Sequence, residues 1–585
     1  MEQDVEMMEQ EEEEEEEEEE EWWEASLLPE VWEHVLSFLP PQDLGSVALV
    51  GRGLGGMASL PRMWSRAPLR KITFRTIPLQ HFFGIKRYSK ISSLDFSRIQ
   101  LGEASLVQLL EWSLTSGLRD LDLTGLNLST VDPDLVSPAL HRLRKAQLGF
   151  TKLTAEQVTR LFTRCANNPK QRPEELCLKA VNLSSVPSQV LAPALAHLIA
   201  ANLSFTELTV EQVTALLGRI AARCPGVRLA SLDLFSVDLS GLCPILLARA
   251  VASLAVASLS NTELRLEQAH ALCDHALHST TLTDLNLDFA ELFSVPPEVV
   301  GRAMARLDRV SLACTVMGEE QLTALTTAMA LPTSRIQHLD LLDIQLTFLP
   351  TALLVPAFKR LTKVNLSGSK LSPDQVEGLL TGLELGIIRD LNLDYVLLAA
   401  TSPELLSSVA CSLHTLSLRK TGLMEHQVAC LFHALATSTH SLSSLCLHGV
   451  SLTLTNPTVL AKAGATIVSL DLSHCLLPAS SAASLLHSLA SRPCSLRSLT
   501  LLGNRMAEVP ASALEAAAAR LERLDLSSTG LTAGQLEAVL VSAGPPLKEL
   551  SLFSLDLGVV PDHVLQEAER RVFVSHRHAA ITPDS

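Results

Sequence analysis

The chain has 585 residues, 47% of them apolar, and a formal net charge of −18. Sixteen of its 64 acids fall within residues 1–24, where there is no Lys or Arg, so the other 561 residues carry 48 acids against 46 bases. A body this close to neutral argues against a nucleic-acid-binding protein, and eleven scattered cysteines without a C-x-x-C pair argue against a disulfide scaffold or a zinc site.

The cysteine usage predicts reduced thiols and a cytoplasmic or nuclear location. The acidic start does not read as a signal peptide. No apolar run approaches the roughly 20 residues that span a bilayer. Residues 1–24, with Glu11 to Glu21 unbroken, read as a disordered arm held open by self-repulsion. It serves either as a solubilising tail or as a dock for a basic partner through Trp22 and Trp23.

Residues 25–66 form a separate small module. Ser26 caps a first helix with Pro29 in its opening turn, and Val31, Val35, Phe38 and Leu39 recur at helical spacing. Pro40-Pro41-Gln42-Asp43-Leu44 ends that helix and caps a second, carried by Leu44, Val47, Ala48 and Val50. A third short segment runs through Leu60-Pro61-Arg62-Met63 to Trp64. Three helices of this size are marginal by themselves, so a partner or the rest of the chain must complete their core.

With its opening Leu and Pro, a helix ending Leu36-Ser37-Phe38-Leu39, the Asp43-Leu44 pair and a closing Trp64, the stretch resembles an F-box. It departs from that family where Leu28 stands for a proline. It departs again at Val50-Gly51-Arg52-Gly53-Leu54, which lacks the family's cysteine and tryptophan. The resemblance implies that Leu27, Pro29, Val31, Leu36, Leu39, Leu44, Val47 and Trp64 contact a Skp-type adaptor. The alternative is a helical cap that closes the exposed edge of the first repeat.

Residues 67–117 read as irregular entry repeats, with strands expected at Leu69–Phe74 and Ile91–Phe96. The basic loop Lys86, Arg87 and Lys90 lies between them. From Leu118 to 571 the pattern L-x-x-L-x-L-x-x-x-x-L returns at Leu118, Leu143, Pro173, Leu198 and onward to Val572. Its spacing alternates between 25 residues and a longer interval of 26 to 31. Short repeats carry a proline after the strand and turn (Pro133, Pro187, Pro244 and so on), expected in a first helical turn. Long repeats read T-x-x-Q, as in Thr154/Gln157 and Thr532/Gln535, a capping box.

Each unit is therefore strand, turn and helix. The fold class is α/β: a leucine-rich-repeat solenoid with a parallel inner sheet and outer helices. Residues 572–585 are a last strand and tail. The repeats resemble the ribonuclease-inhibitor-like class. In that class position nine bonds the loop backbone, a role falling here to Thr151, Thr206, Thr262, Thr315, Ser369, Thr421, Cys475 and Thr529.

Positions three, five and seven alternate outward onto the inner face, with position eight at its rim. Asp284, Arg309, His338, Lys363 and Asp390 should form one row across five strands, either self-neutralising or facing a ligand. Aromatic residues flanked by carboxylates resemble a binding hot spot for a protein or peptide with basic residues. The candidate partner-binding set is Phe235, Asp284, Asp288, Phe289, Asp340, Leu342, Asp343, Asp394 and Tyr395. A second aromatic row is Phe150 and Phe205, and Phe553 stands apart near the end.

No P-loop, G-x-S-x-G elbow or H-E-x-x-H occurs, and the histidines are dispersed. The expectation is a non-catalytic protein without metal or cofactor. An F-box joined to leucine-rich repeats resembles the substrate receptors of SCF-type ubiquitin ligases. That resemblance implies a Skp-type adaptor, a cullin and a target protein as partners. A free-standing scaffold or inhibitor of the ribonuclease-inhibitor type is the other reading.

Overall fold

The computed structural model describes residues 92–97, 101–167, 173–224, 226–384, 387–438, 442–489 and 494–575. The acidic arm, the F-box-like stretch with all eight adaptor residues, and the expected strand at Leu69–Phe74 lie outside them. The chain divides into two compact units at Leu242–Cys243.

The first unit holds β1 (Ser93–Asp95), β2 (Asp120–Asp122), β3 (Lys145–Gln147), β4 (Glu175–Cys177), β5 (Ala200–Asn202) and β6 (Ser231–Asp233). Each pairs in parallel with the next. Among the described residues, one strand–helix pair, β1 and the helix Glu103–Thr115, precedes Leu118.

The described residues of the second unit hold thirteen strands. They are β7 (Val256–Ser258), β8 (Asp284–Asn286), β9 (Arg309–Ser311), β10 (His338–Asp340), β11 (Lys363–Asn365), β12 (Asp390–Asn392), β13 (Thr415–Ser417), β14 (Ser444–Cys446), β15 (Ser469–Asp471), β16 (Ser498–Thr500), β17 (Arg523–Asp525), β18 (Glu549–Ser551) and β19 (Phe573–Ser575). They too pair in parallel and in chain order.

The strands are three residues long because only the middle one, position four, must turn inward. Leu121, Leu285, Leu391 and Leu470 are buried there, and Leu123, Leu287, Leu393 and Leu472 at position six complete the seam. A side-chain period of two puts positions three and five on the opposite face. The helices close the other side of each core, as Val376, Leu379, Leu380 and Leu383 do from the helix Pro373–Glu384. This is the leucine-rich-repeat fold in both units.

The short-then-long pair is also the packing unit. Within each unit, a short-repeat helix packs more extensively on the following long-repeat helix than on the preceding one. The capping glutamine explains this. Gln157 Oε1 accepts from the Thr154 N–H at 2.8 Å, while its Nε2 donates to Leu128 O at 2.7 Å and Val131 O at 2.6 Å, in the preceding short repeat. Gln212, Gln321, Gln375, Gln427 and Gln535 repeat the arrangement. It persists where the cap residue is Gly318 or Met424, so the glutamine and not the hydroxyl is the constant part. In the long repeat of β15 Ser481 takes the position and reaches only Thr455 O, at 3.3 Å.

The expected first-turn prolines divide in two. Pro133, Pro244, Pro403 and Pro457 occupy the first helical position. Pro187, Pro296, Pro350, Pro510 and Pro561 sit one residue earlier, as the cap itself. Both places suit a residue without an N–H.

Position nine does bond the turn. The hydroxyls of Thr151, Thr206, Thr262, Thr315 and Thr421 donate to the position-six carbonyl of their own repeats at 2.5 to 2.9 Å. Thr529 does the same to Leu526 O. Ser369 and Cys475 reach instead into the previous repeat, to Leu341 O and Leu447 O.

Candidate functional site

The rim of the inner face is built by position eight. There the chain must turn from strand to helix, and from Gly125 to Ser554 the residue has a left-handed backbone in every repeat described. Its N–H donates to the position-seven carbonyl of the next repeat, as Phe289 does to Ala313 O at 2.9 Å and Tyr395 to Arg419 O at 2.7 Å. Glycine suits this geometry and fills it at Gly125, Gly368, Gly449 and Gly503. Elsewhere the column carries aromatics: Phe150 (φ 57°), Phe205 (56°), Phe289 (63°) and Tyr395 (61°). A left-handed backbone costs an ordinary residue about 1–2 kcal/mol. These rings return little of that by burial, since all four are about half exposed.

In the first unit they form a continuous patch. Lys179 Nζ lies 5.2 Å from the Phe150 ring centroid and 5.3 Å from that of Phe205. Phe205 and Phe235 have centroids 4.8 Å apart at 54°. Phe235 therefore belongs with Phe150 and Phe205 as a row, joined by a cation that faces two rings.

In the second unit the expected charged row is present in register. Asp284 pairs with Arg309, Arg309 with His338, His338 with Lys363 and Lys363 with Asp390. The charged side chains engage one another only loosely, with Arg309 to Asp284 at 3.9 Å, while Asp390 accepts from the Thr415 hydroxyl at 2.6 Å. Burial, and then Arg309 and Lys363 alongside, push the His338 pKa down.

The other acids are partly occupied by their neighbours. Asp288 Oδ1 accepts from the Ser311 hydroxyl at 2.6 Å and the Ala313 N–H at 2.8 Å. Asp394 Oδ1 accepts likewise from Ser417 and from the Arg419 N–H. Asp340 takes the Asn365 side-chain amide on both oxygens at 3.0 Å, and burial raises its pKa. Asp343 and Tyr395 stand exposed at the rim and Leu342 is half-buried.

Two features had weak signals in the sequence. The left-handed column was visible in the glycines recurring at position eight and in Asn261 there. The other is a basic cluster further along. One Arg419 Nη lies 3.3 and 3.4 Å from the two ring nitrogens of His448, and His448 meets the His474 ring at 5.1 Å. Beside His474, Cys475 is structural: its thiol donates to Leu447 O at 3.1 Å, and burial pushes its pKa up to about 12.

Among the described residues no three His, Cys, Asp or Glu side chains are grouped to hold a metal, and no helix is long and apolar enough to cross a membrane. No family model matches the chain, and no curated protein matches it. Solved structures do. The yeast complex of Rad7 and Elc1 includes a chain 15% identical over 63% of this chain and 88% of that one, with a TM-score of 0.37. The leucine-rich repeat-containing protein LegL7 from Legionella pneumophila is 20% identical over 50% of this chain and 94% of its own, with a TM-score of 0.31.

Proposed function

We propose that this chain is the substrate-recognition subunit of an SCF-type ubiquitin ligase, a non-catalytic receptor of the cytoplasm or nucleus. The repeat faces bind a target protein, and residues 25–66 dock a Skp-type adaptor that joins a cullin. The observation that carries the receptor role is the exposed aromatic set at position eight. The turn imposes that left-handed backbone in every repeat described, and Phe150, Phe205, Phe289 and Tyr395 place large, half-exposed rings there where glycine would fit at less cost, as residues kept for contact with something else do.

The ligase role is supported by the F-box resemblance of residues 25–66, through Leu27, Pro29, Val31, Leu36, Leu39, Leu44, Val47 and Trp64. Such a receptor performs no chemistry. It raises the effective concentration of its target beside a charged conjugating enzyme, and the rate gain is one of proximity.

Co-purification of the full chain with the Skp-type adaptor and cullin, against a chain lacking residues 25–66, tests the assignment. Recovery that depends on those residues is the expected result. Recovery from neither chain overturns the ligase reading and leaves a free-standing scaffold or inhibitor of the ribonuclease-inhibitor type.

A further inference from the structure

We propose that the rim beyond β13, β14 and β15 binds an acidic segment of a partner protein through Arg419, Lys420, His448 and His474. The proposal rests on reading the rim as a partner-binding surface. It does not rest on the ligase assignment, whose test uses other residues.

Several cations elsewhere on these faces have acids beside them: Lys145 Nζ lies 2.9 Å from Glu175, Arg144 3.1 Å from Asp120 and Arg523 3.9 Å from Glu549, while Lys179 faces two rings instead. These pairings come from the alternation, because short repeats place acids next to the cations of long ones. The alternation breaks at β14, beside Arg419 and Lys420, and again at β16. The outward positions of β14 are Ser444, Cys446 and His448, with no acid. Neither Arg419 nor Lys420 has a carboxylate within ion-pairing distance among the described residues. Asp394, at position seven of the preceding repeat, spends one oxygen on the Arg419 N–H and the Ser417 hydroxyl. Asp471 is turned onto Ser473 and the Cys446 thiol. Arg419 Nε is buried with no hydrogen-bond partner, which leaves a charged donor unsatisfied.

The cluster is shaped as well as charged. Lys420 and His474, both left-handed, lie across Gly449 and Gly503 of the next repeats. A Cβ at Gly449 would meet Lys420 Cγ at 2.9 Å, and one at Gly503 would collide with the His474 ring. Glycine at both places lets these side chains lie along the rim. The Arg419 amino group lies within hydrogen-bonding distance of both His448 ring nitrogens. Burial and Arg419 push the His448 pKa down.

Apolar contacts flank the charges. Lys420 Nζ is 5.7 Å from the Tyr395 ring, and Leu397 and Leu476 are 74% and 68% exposed on the neighbouring turns. Two cations without acids, two imidazoles, a serine-lined floor at Ser417, Ser444 and Ser469, and apolar edges suit a peptide of carboxylates interspersed with apolar residues. A nucleic acid would call for a wider basic field, which the nearly neutral body lacks.

The test uses the full chain and a fluorescein-labelled peptide alternating glutamate with leucine, read by anisotropy. Saturable binding that weakens with salt, and weakens about tenfold or more in Lys420→Glu, is expected. The exposed Lys370→Glu variant, which changes net charge equally outside the cluster, should bind as the parent does. Equal binding by both variants, no binding by the parent, or tighter binding of a single-stranded oligonucleotide would each overturn the proposal. The more conservative Lys420→Gln and His474→Gln should give intermediate losses without unfolding the chain, checked by circular dichroism.

Discussion

The side-chain amide of Gln427 donates to the carbonyl of Thr401, 2.6 Å away and 26 residues earlier in the chain. The same nitrogen reaches Leu398 O at 2.8 Å, and its Oε1 accepts from the Met424 N–H at 2.7 Å. One buried glutamine thus caps its own helix and holds the turn of the previous repeat. Gln427→Leu keeps the volume and removes all three bonds, and should cost about 2–4 kcal/mol. Urea unfolding checks this, with the exposed Gln345→Leu changing stability by less than about 0.5 kcal/mol. A solenoid passes such a loss mainly to neighbouring repeats, so hydrogen exchange should quicken first around residues 398–427.

Phe289 tests the left-handed column. Glycine relieves the backbone but adds chain entropy to the unfolded state, so Phe289→Gly should stabilise by only about 0.5 kcal/mol. Phe289→Val places a β-branched residue in a region it rarely enters and should destabilise by about 1 kcal/mol or more. Opposite signs in denaturant midpoints would establish that the ring is kept at a cost. If Phe289 is a contact residue, the more stable glycine variant should also lose target recovery.

Asp340 carries a pH signature. Burial raises its folded-state pKa above the ordinary 3.8, against the lowering effect of the Asn365 and Leu342 hydrogen bonds. Above 3.8 the unfolded chain releases the proton before the folded one does, so the folded state binds more protons in that window. The contribution of Asp340 to stability is then full below 3.8 and is lost as pH rises through the folded-state value. Urea titrations across this range should show a flatter pH dependence for Asp340→Asn than for the parent. An identical slope would mean that the carboxyl titrates normally.

Asp394 and Arg309 should behave differently although both are charged and on the same unit. Asp394→Ala strands the Ser417 hydroxyl and the Arg419 N–H and should cost about 1–3 kcal/mol. Arg309→Ala removes an exposed contact at 3.9 Å and should cost less than about 1 kcal/mol. Thermal unfolding of the two variants measures the contrast.

Much of this protein is set by its periodicity. An eleven-residue leucine pattern with alternating spacing determines strand, turn and helix, because a leucine at position four has only one side of a pleated strand to enter. The same logic puts Asp284, Arg309, His338, Lys363 and Asp390 in one row, and the register agrees residue by residue. It also brings a capping glutamine to each T-x-x-Q.

Tertiary structure decided what those side chains do there. Asp288 and Asp394 look free along the sequence, yet each turns one oxygen onto the adjacent repeat. Conversely Arg419 and His448, 29 residues apart, come within 3.3 Å of each other. Pattern determines which face a residue lies on. Hydrogen-bond satisfaction and charge pairing depend on what the neighbouring repeat supplies 25 to 31 residues away, and only the folded chain brings those groups within reach.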